Sequence, residues 1–267
     1  MKKFESYLLL LAAFLGLPLV ILLLPLIMWL RFSNKNRGPR IGVLVSNRWP
    51  YRMQYLRLPY DLAIWRAGGS SVTIAPADLR RLPEILDRLD GVILTGGEDI
   101  DPALYKGTPS AAGLHNPARD RLEIEALRLL ETRKLPALCI CRGAQLMTVY
   151  YGGMLQAHDP NPAQLRRHAS SICRLAGHKT HIVPNTRLHA IIGQNEIKVN
   201  SIHHQAAACV NKLKVSAVAQ NDGCIEGVEL SDRSRFLIGV QWHPELSAPF
   251  NRVQQQLFNA LIDTARK

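Results

Sequence analysis

The chain has 267 residues, a formal charge of +12 (33 Lys and Arg against 21 Asp and Glu), 47% hydrophobic residues and five cysteines. This length buries a core readily, the apolar content excludes a disordered chain, and five scattered cysteines exclude a disulfide scaffold. No internal repeat or low-complexity tract is present, which removes solenoid and fibrous architectures.

From Tyr7 to Leu30 no side chain carries a charge. As a helix this run would extend about 36 Å, enough to cross a hydrocarbon core. A signal peptide is the rival reading, but its apolar region is shorter, and the Trp29-Leu30-Arg31 border suits an uncleaved anchor. The run therefore predicts one transmembrane helix at 7–30. Arg31, Lys35, Arg37 and Arg40 outnumber the basic residues before it, which predicts a single-pass membrane protein with a cytoplasmic soluble domain. The expected organisation is an anchor at 1–31, a linker at 32–39 and one domain at 40–267. Basic residues show no nucleic-acid module and no aromatic interleaving, so no nucleic-acid partner is expected.

The rest alternates strand and helix signals. Ile41–Val45 is a short apolar run of the kind found in buried strands, and Ser71–Ile74, Gly91–Leu94 and Pro136–Cys141 are strand-like. Helical spacing falls between them at Gln54–Arg66, Leu79–Arg88, Arg119–Arg133 and Arg142–Tyr151. Later strand candidates are Ile197–Ile202, Lys214–Val218, Cys224–Glu229 and Phe236–Val240, with a closing helix at Pro249–Ala265. The alternation predicts an α/β fold: a mainly parallel sheet with helices on both faces. In such folds the working groups collect at the carboxyl ends of the strands.

Three motifs occupy such ends. In Leu138-Cys139-Ile140-Cys141-Arg142-Gly143 an apolar strand runs into a helix, placing a cysteine in a tight turn where the helix N-terminus favours its thiolate. The plain alternative is a pair of buried strand cysteines. In Gln241-Trp242-His243-Pro244-Glu245 an extended segment would set His243 beside Glu245, as a general base needs an orienting carboxylate. The alternative there is a solvated pair on a loop. In Thr95-Gly96-Gly97-Glu98-Asp99-Ile100-Asp101-Pro102, two glycines after a strand turn N–H groups toward a ligand, although a tight turn needs the same residues.

Together, in this order and spacing, the three motifs resemble the class I glutamine amidotransferase superfamily, and within it the γ-glutamyl-γ-aminobutyrate hydrolase group (peptidase family C26). Asn116–Asp120, Val199–Gln205 and Asp222–Glu229 extend the likeness over about 40–265. The resemblance implies a flavodoxin-like three-layer fold and a cysteine hydrolase of γ-glutamyl amides working through a γ-glutamyl thioester. Cys141 matches the nucleophile, His243 the base and Glu245 the third triad member. The oxyanion hole maps to the N–H of Arg142 and of a glycine in Gly96-Gly97, with Gly97 favoured. No metal or organic cofactor is implied, and the expected ligand is a small γ-glutamyl molecule.

Two rival functions stand beside the hydrolase: a glutaminase subunit passing ammonia to a separate synthetase, and an inactive membrane-tethered scaffold. A homodimer or an ammonia-accepting partner is compatible with the family. Cys139 departs from the family's usual Gly or Ala and raises the idea of a Cys139–Cys141 redox pair. His178 and His181 suggest a metal pair by spacing alone, with no third ligand nearby. His203 and His204 receive no catalytic role.

Overall fold

The short apolar runs stand side by side as parallel strands. The computed structural model describes residues 38–48, 54–105, 107, 114–157, 177–232 and 234–266. Strands β1 (Arg40–Leu44), β2 (Ser70–Ile74), β3 (Gly91–Leu94) and β4 (Ala137–Ile140) form the first half of the sheet. Strands β5 (Met154–Ala157), β6 (His178–Ile182), β7 (Glu196–Val199), β8 (Gln205–Cys209), β9 (Leu213–Ala219), β10 (Ile225–Leu230) and β11 (Leu237–Val240) come after them in the chain. The spatial order is β2-β1-β3-β4-β11-β10-β9-β6-β7, with β5 and β8 joined off this path.

From β2 to β11 every pairing is parallel, whereas β11-β10-β9-β6-β7 and the β5-β8 pair are antiparallel. The expectation of a mainly parallel sheet is thus corrected to a mixed one. Its second half includes short reversals, such as the turn at Gln220–Gly223 between β9 and β10, because antiparallel neighbours need no crossover helix.

Helices α1 (Gln54–Arg66), α2 (Leu82–Leu86), α3 (Pro117–Arg133), α4 (Arg142–Tyr150), α5 (Arg187–Ile192), α6 (Pro244–Ser247) and α7 (Arg252–Ala265) cover the sheet. The helix expected over 79–88 is instead a 3₁₀ turn, Pro76–Arg81, running into α2. Successive side chains of a strand face opposite ways, and the central strands obey this strictly. Val43, Ile93, Leu138, Ile140, Ile238 and Val240 pack with α1, α5 and α7, while Leu44, Leu94, Ala137, Cys139 and Leu237 pack with α2, α3 and α4. These two apolar layers give the expected three-layer architecture.

The single-pass membrane placement is not upheld. Among the described residues no helix is long and apolar enough to cross a membrane, and the longest, α3, carries buried Arg119, Asp120 and Glu123. Segment 7–30, on which that expectation rests, lies outside the described residues.

Candidate active site

Strands β3, β4 and β11 are consecutive neighbours, and their ends are level: Leu94 pairs with Cys139, and Val240 with Ile140. The loops leaving these three strands therefore meet at one edge of the sheet. Gly96 and Gly97 come after β3, Cys141 after β4, and His243 after β11.

Cys141 is the N-cap of α4 and has φ +51°, a left-handed conformation that a β-carbon strains. Its N–H donates to Val240 O at 2.7 Å, which pins the turn to the neighbouring strand. The side chain is 6% exposed, and Gln241 Nε2 donates to its sulfur at 3.5 Å. The kink also separates the two cysteines. Cys139 stays in the strand on the α4 face, with burial pushing its thiol well up, whereas Cys141 lies in the opposite apolar layer. This placement speaks against the Cys139–Cys141 redox pair, since the chain leaves extended geometry at Cys141 and the two side chains enter different layers.

His243 Nδ1 donates to Glu245 Oε1 at 2.6 Å. The contact is made by another route than the extended one expected, because His243 caps α6 and Glu245 lies in that helix's first turn. Burial alone would lower the imidazolium pKa. The Glu245 carboxylate, and then a hydrogen bond and charge interaction with Cys141, outweigh it and hold His243 well above the ordinary imidazole range. The main chain of His243 is clamped by Asn200, which accepts from its N–H at 2.8 Å and donates to its C=O at 2.7 Å.

Both glycines are dictated by sterics. A β-carbon on Gly96 would lie 2.6 Å from His243 Cε1, and one on Gly97 would lie 2.1 Å from Arg119 Nη1. The Gly96 N–H donates to the Tyr60 hydroxyl at 3.2 Å. Burial, and then the adjacent Glu245 carboxylate, push that hydroxyl well above its usual pKa, so it stays protonated. The Gly97 N–H has no acceptor among the described residues. Arg142 opens α4, so its N–H belongs to the first turn, where no intrahelical acceptor exists.

Behind these groups runs a chain of buried charges. Arg142 donates to Glu123 and Asp120; Glu123 accepts from Arg119 Nε at 2.7 Å; Arg119 Nη1 donates to Glu98 Oε2 at 2.7 Å. Glu98 also accepts from Ser46 and from Asn116, the N-cap of α3. Burial would raise the Glu98 pKa, but Arg119, Ser46 and Asn116 bring it to about 2. The Asn116–Asp120 motif thus supplies the cap and two members of this chain. Helical periodicity does not reveal that role, because it marks only the apolar face.

A second buried carboxylate is Glu226. Its Oε1 meets His178 Nε2 at 3.1 Å and His203 Nε2 at 3.5 Å, and these partners outweigh burial to bring the carboxyl pKa to about 2. His204 instead donates to Asp99 Oδ1 at 2.7 Å, and that bond raises its pKa. His178 and His181, three residues apart in β6, face opposite sides of the strand and cannot share one ion. Among the described residues no group of His, Cys, Asp and Glu is arranged to hold a metal.

Residues 41–245 match the peptidase C26 family profile. Rv2859c of Mycobacterium tuberculosis, named provisionally as a glutamine amidotransferase, is 36% identical over 220 residues, covering 81% of this chain and 70% of that one. The γ-glutamyl-γ-aminobutyrate hydrolase PuuD of Escherichia coli is 30% identical over 249 residues, covering 86% of this chain and 94% of its own. The glutaminase domain of Trypanosoma brucei CTPS with bound acivicin has a TM-score of 0.62 at 14% identity, covering 85% of this chain and 94% of that one, a likeness of fold alone. With a profile that spans most of the described residues and relatives of this identity and coverage, the chain belongs to the peptidase C26 family.

Proposed function

We propose that the protein hydrolyses γ-glutamyl amides by way of a γ-glutamyl thioester on Cys141. The observation that carries this reading is His243, whose imidazole bridges the Cys141 thiol and the Glu245 carboxylate at the level ends of β4 and β11. In this mechanism Cys141 attacks as a thiolate paired with imidazolium His243, the reactive form of a cysteine nucleophile.

The sulfur attacks the γ-carbonyl carbon, and the carbonyl electron pair moves onto oxygen, which the N–H groups of Gly97 and Arg142 receive. Collapse of this tetrahedral intermediate breaks the C–N bond, and imidazolium His243 gives its proton to the departing amine. His243, now neutral, takes a proton from water as the water attacks the thioester. Glutamate leaves, and the thiolate–imidazolium pair is restored. Glu245 orients the ring and stabilises its charge throughout.

Glutamine hydrolysis coupled to a synthetase uses the same acyl chemistry, and the name of the mycobacterial relative supports it as a second reading. The experiment is glutamate release from glutamine, γ-glutamyl-γ-aminobutyrate and other γ-glutamyl amides, with Cys141→Ala as the blank. Cys141-dependent release from a γ-glutamyl amide is expected. Release from glutamine alone favours the coupled glutaminase, and activity persisting in Cys141→Ala sinks the mechanism.

A further inference from the structure

The thioester reaction leaves Arg119 without a task, although it is 0% exposed and its guanidinium makes five hydrogen bonds. Two go to carboxylates, Glu98 and Glu123. The other three go to the loop after β3: Nη2 donates to Thr95 O at 2.9 Å, Thr95 Oγ1 at 3.0 Å and Gly96 O at 3.1 Å. We infer that Arg119 is a positioning residue that aims the Gly97 N–H at the oxyanion by fixing the two peptide planes preceding it. This role rests on the thioester reading.

In a trans peptide the C=O and the following N–H point in opposite directions. Drawing the Thr95 C=O onto Arg119 turns the Gly96 N–H the other way, where it meets the Tyr60 hydroxyl on the far side of the loop. Drawing the Gly96 C=O onto the same guanidinium turns the Gly97 N–H away from Arg119 in the same manner. Tyr60 occupies the first donor, and the second has no acceptor among the described residues. Gly97 takes φ +155°, and the guanidinium lies against its Cα so closely that only glycine fits.

An arginine suits this place because its planar fork reaches two carbonyls and two carboxylates at once, whereas a lysine presents a single point of charge. The flanking carboxylates make its burial tolerable. Glu123 also braces the two oxyanion donors against each other, since one carboxylate oxygen holds Arg119 and the other holds Arg142.

The test compares wild type, Cys141→Ala, Arg119→Lys and Gly97→Ala. It measures kcat and KM on the amide that wild type turns over, and the rate of Cys141 alkylation by iodoacetamide. Alkylation needs a thiolate but develops no oxyanion, so it separates nucleophile activation from the donor. In Arg119→Lys, kcat is expected to fall about 100-fold with KM within about threefold, while alkylation stays within about twofold of wild type. Gly97→Ala disturbs the same contact from the loop side and is expected to show the same split, which keeps the test decisive if Arg119→Lys does not fold. A folded variant with unchanged kcat, or with kcat and alkylation falling together, overturns the role of Arg119. Absence of Cys141-dependent turnover in wild type overturns the thioester reading itself, and this inference with it.

Discussion

The carboxamide of Asn200 pairs with the main chain of His243 from both sides, accepting at 2.8 Å and donating at 2.7 Å. An imidazole at the end of a strand owes its aim to its backbone. This pairing fixes that backbone independently of the Glu245 contact, which fixes the ring. Asn200→Ala removes the clamp and leaves the side chains of Cys141, His243 and Glu245 unaltered. A small displacement of a reacting group costs up to about 100-fold, so kcat is expected to fall by about tenfold or more with KM little changed. Steady-state kinetics check this, and an unchanged kcat contradicts the clamp.

The Gly96 Cα lies directly against the His243 ring, with room for no additional carbon. Gly96→Ala is therefore expected to push the imidazole off Cys141 and lower both kcat and the iodoacetamide alkylation rate, by about 100-fold for kcat. This pattern differs from that expected of Gly97→Ala, where alkylation survives. Identical behaviour of the two alanine variants argues against the division of labour between these glycines.

The pH dependence comes from the His243 charge. Its folded pKa is raised by Glu245 and Cys141 against the pull of burial. Its contribution to stability is therefore full below the unfolded value of about 6.5 and is lost as pH rises through the folded value. In the proposed mechanism activity needs the same imidazolium and is expected to fall on the same alkaline side. Glu245→Gln removes the main support of that charge. The alkaline limb of kcat/KM is expected to move down by about one unit or more, and a limb that stays in place removes His243 from its assignment.

The buried charge chain predicts a large stability effect far from solvent. Glu123 is fully buried between Arg119 and Arg142. Glu123→Ala leaves two buried guanidinium groups short of a counter-charge and is expected to cost about 3–5 kcal/mol. For a domain of this size that lowers the melting temperature by at least about 6 °C. Thermal unfolding decides it, and a loss below about 1 kcal/mol would show that Glu98 and Asp120 compensate unaided.

Much of the fold is legible in the residues. The runs of β1 to β4 and most of the helices between them stand out nearly to their observed ends, because β1, β3 and β4 are short, buried and apolar, and the edge strand β2 carries β-branched Val72, Thr73 and Ile74. Three strands carry no comparable signal. Gln205-Ala206-Ala207-Ala208-Cys209 has poor strand propensity, His178–Ile182 alternates polar and apolar residues without an obvious boundary, and Met154–Ala157 comes directly after a helix. Strand direction in the second half is equally hidden, since an apolar run bears no mark of whether its partner is parallel or antiparallel.

The order of residues suffices for the strand-to-turn junctions, the two glycines after β3 and the cysteine opening a helix, because each is a local matter of sterics and spacing. Only packing in three dimensions sets β3, β4 and β11 adjacent with level ends, which brings Gly97, Cys141 and His243 together from distant parts of the chain. The same packing brings Asn200 to His243 and Arg119 to the glycine loop. One cause accounts for all of these. A buried polar group must find a partner, but which partner it finds depends on how elements pack together, and no local pattern records that choice.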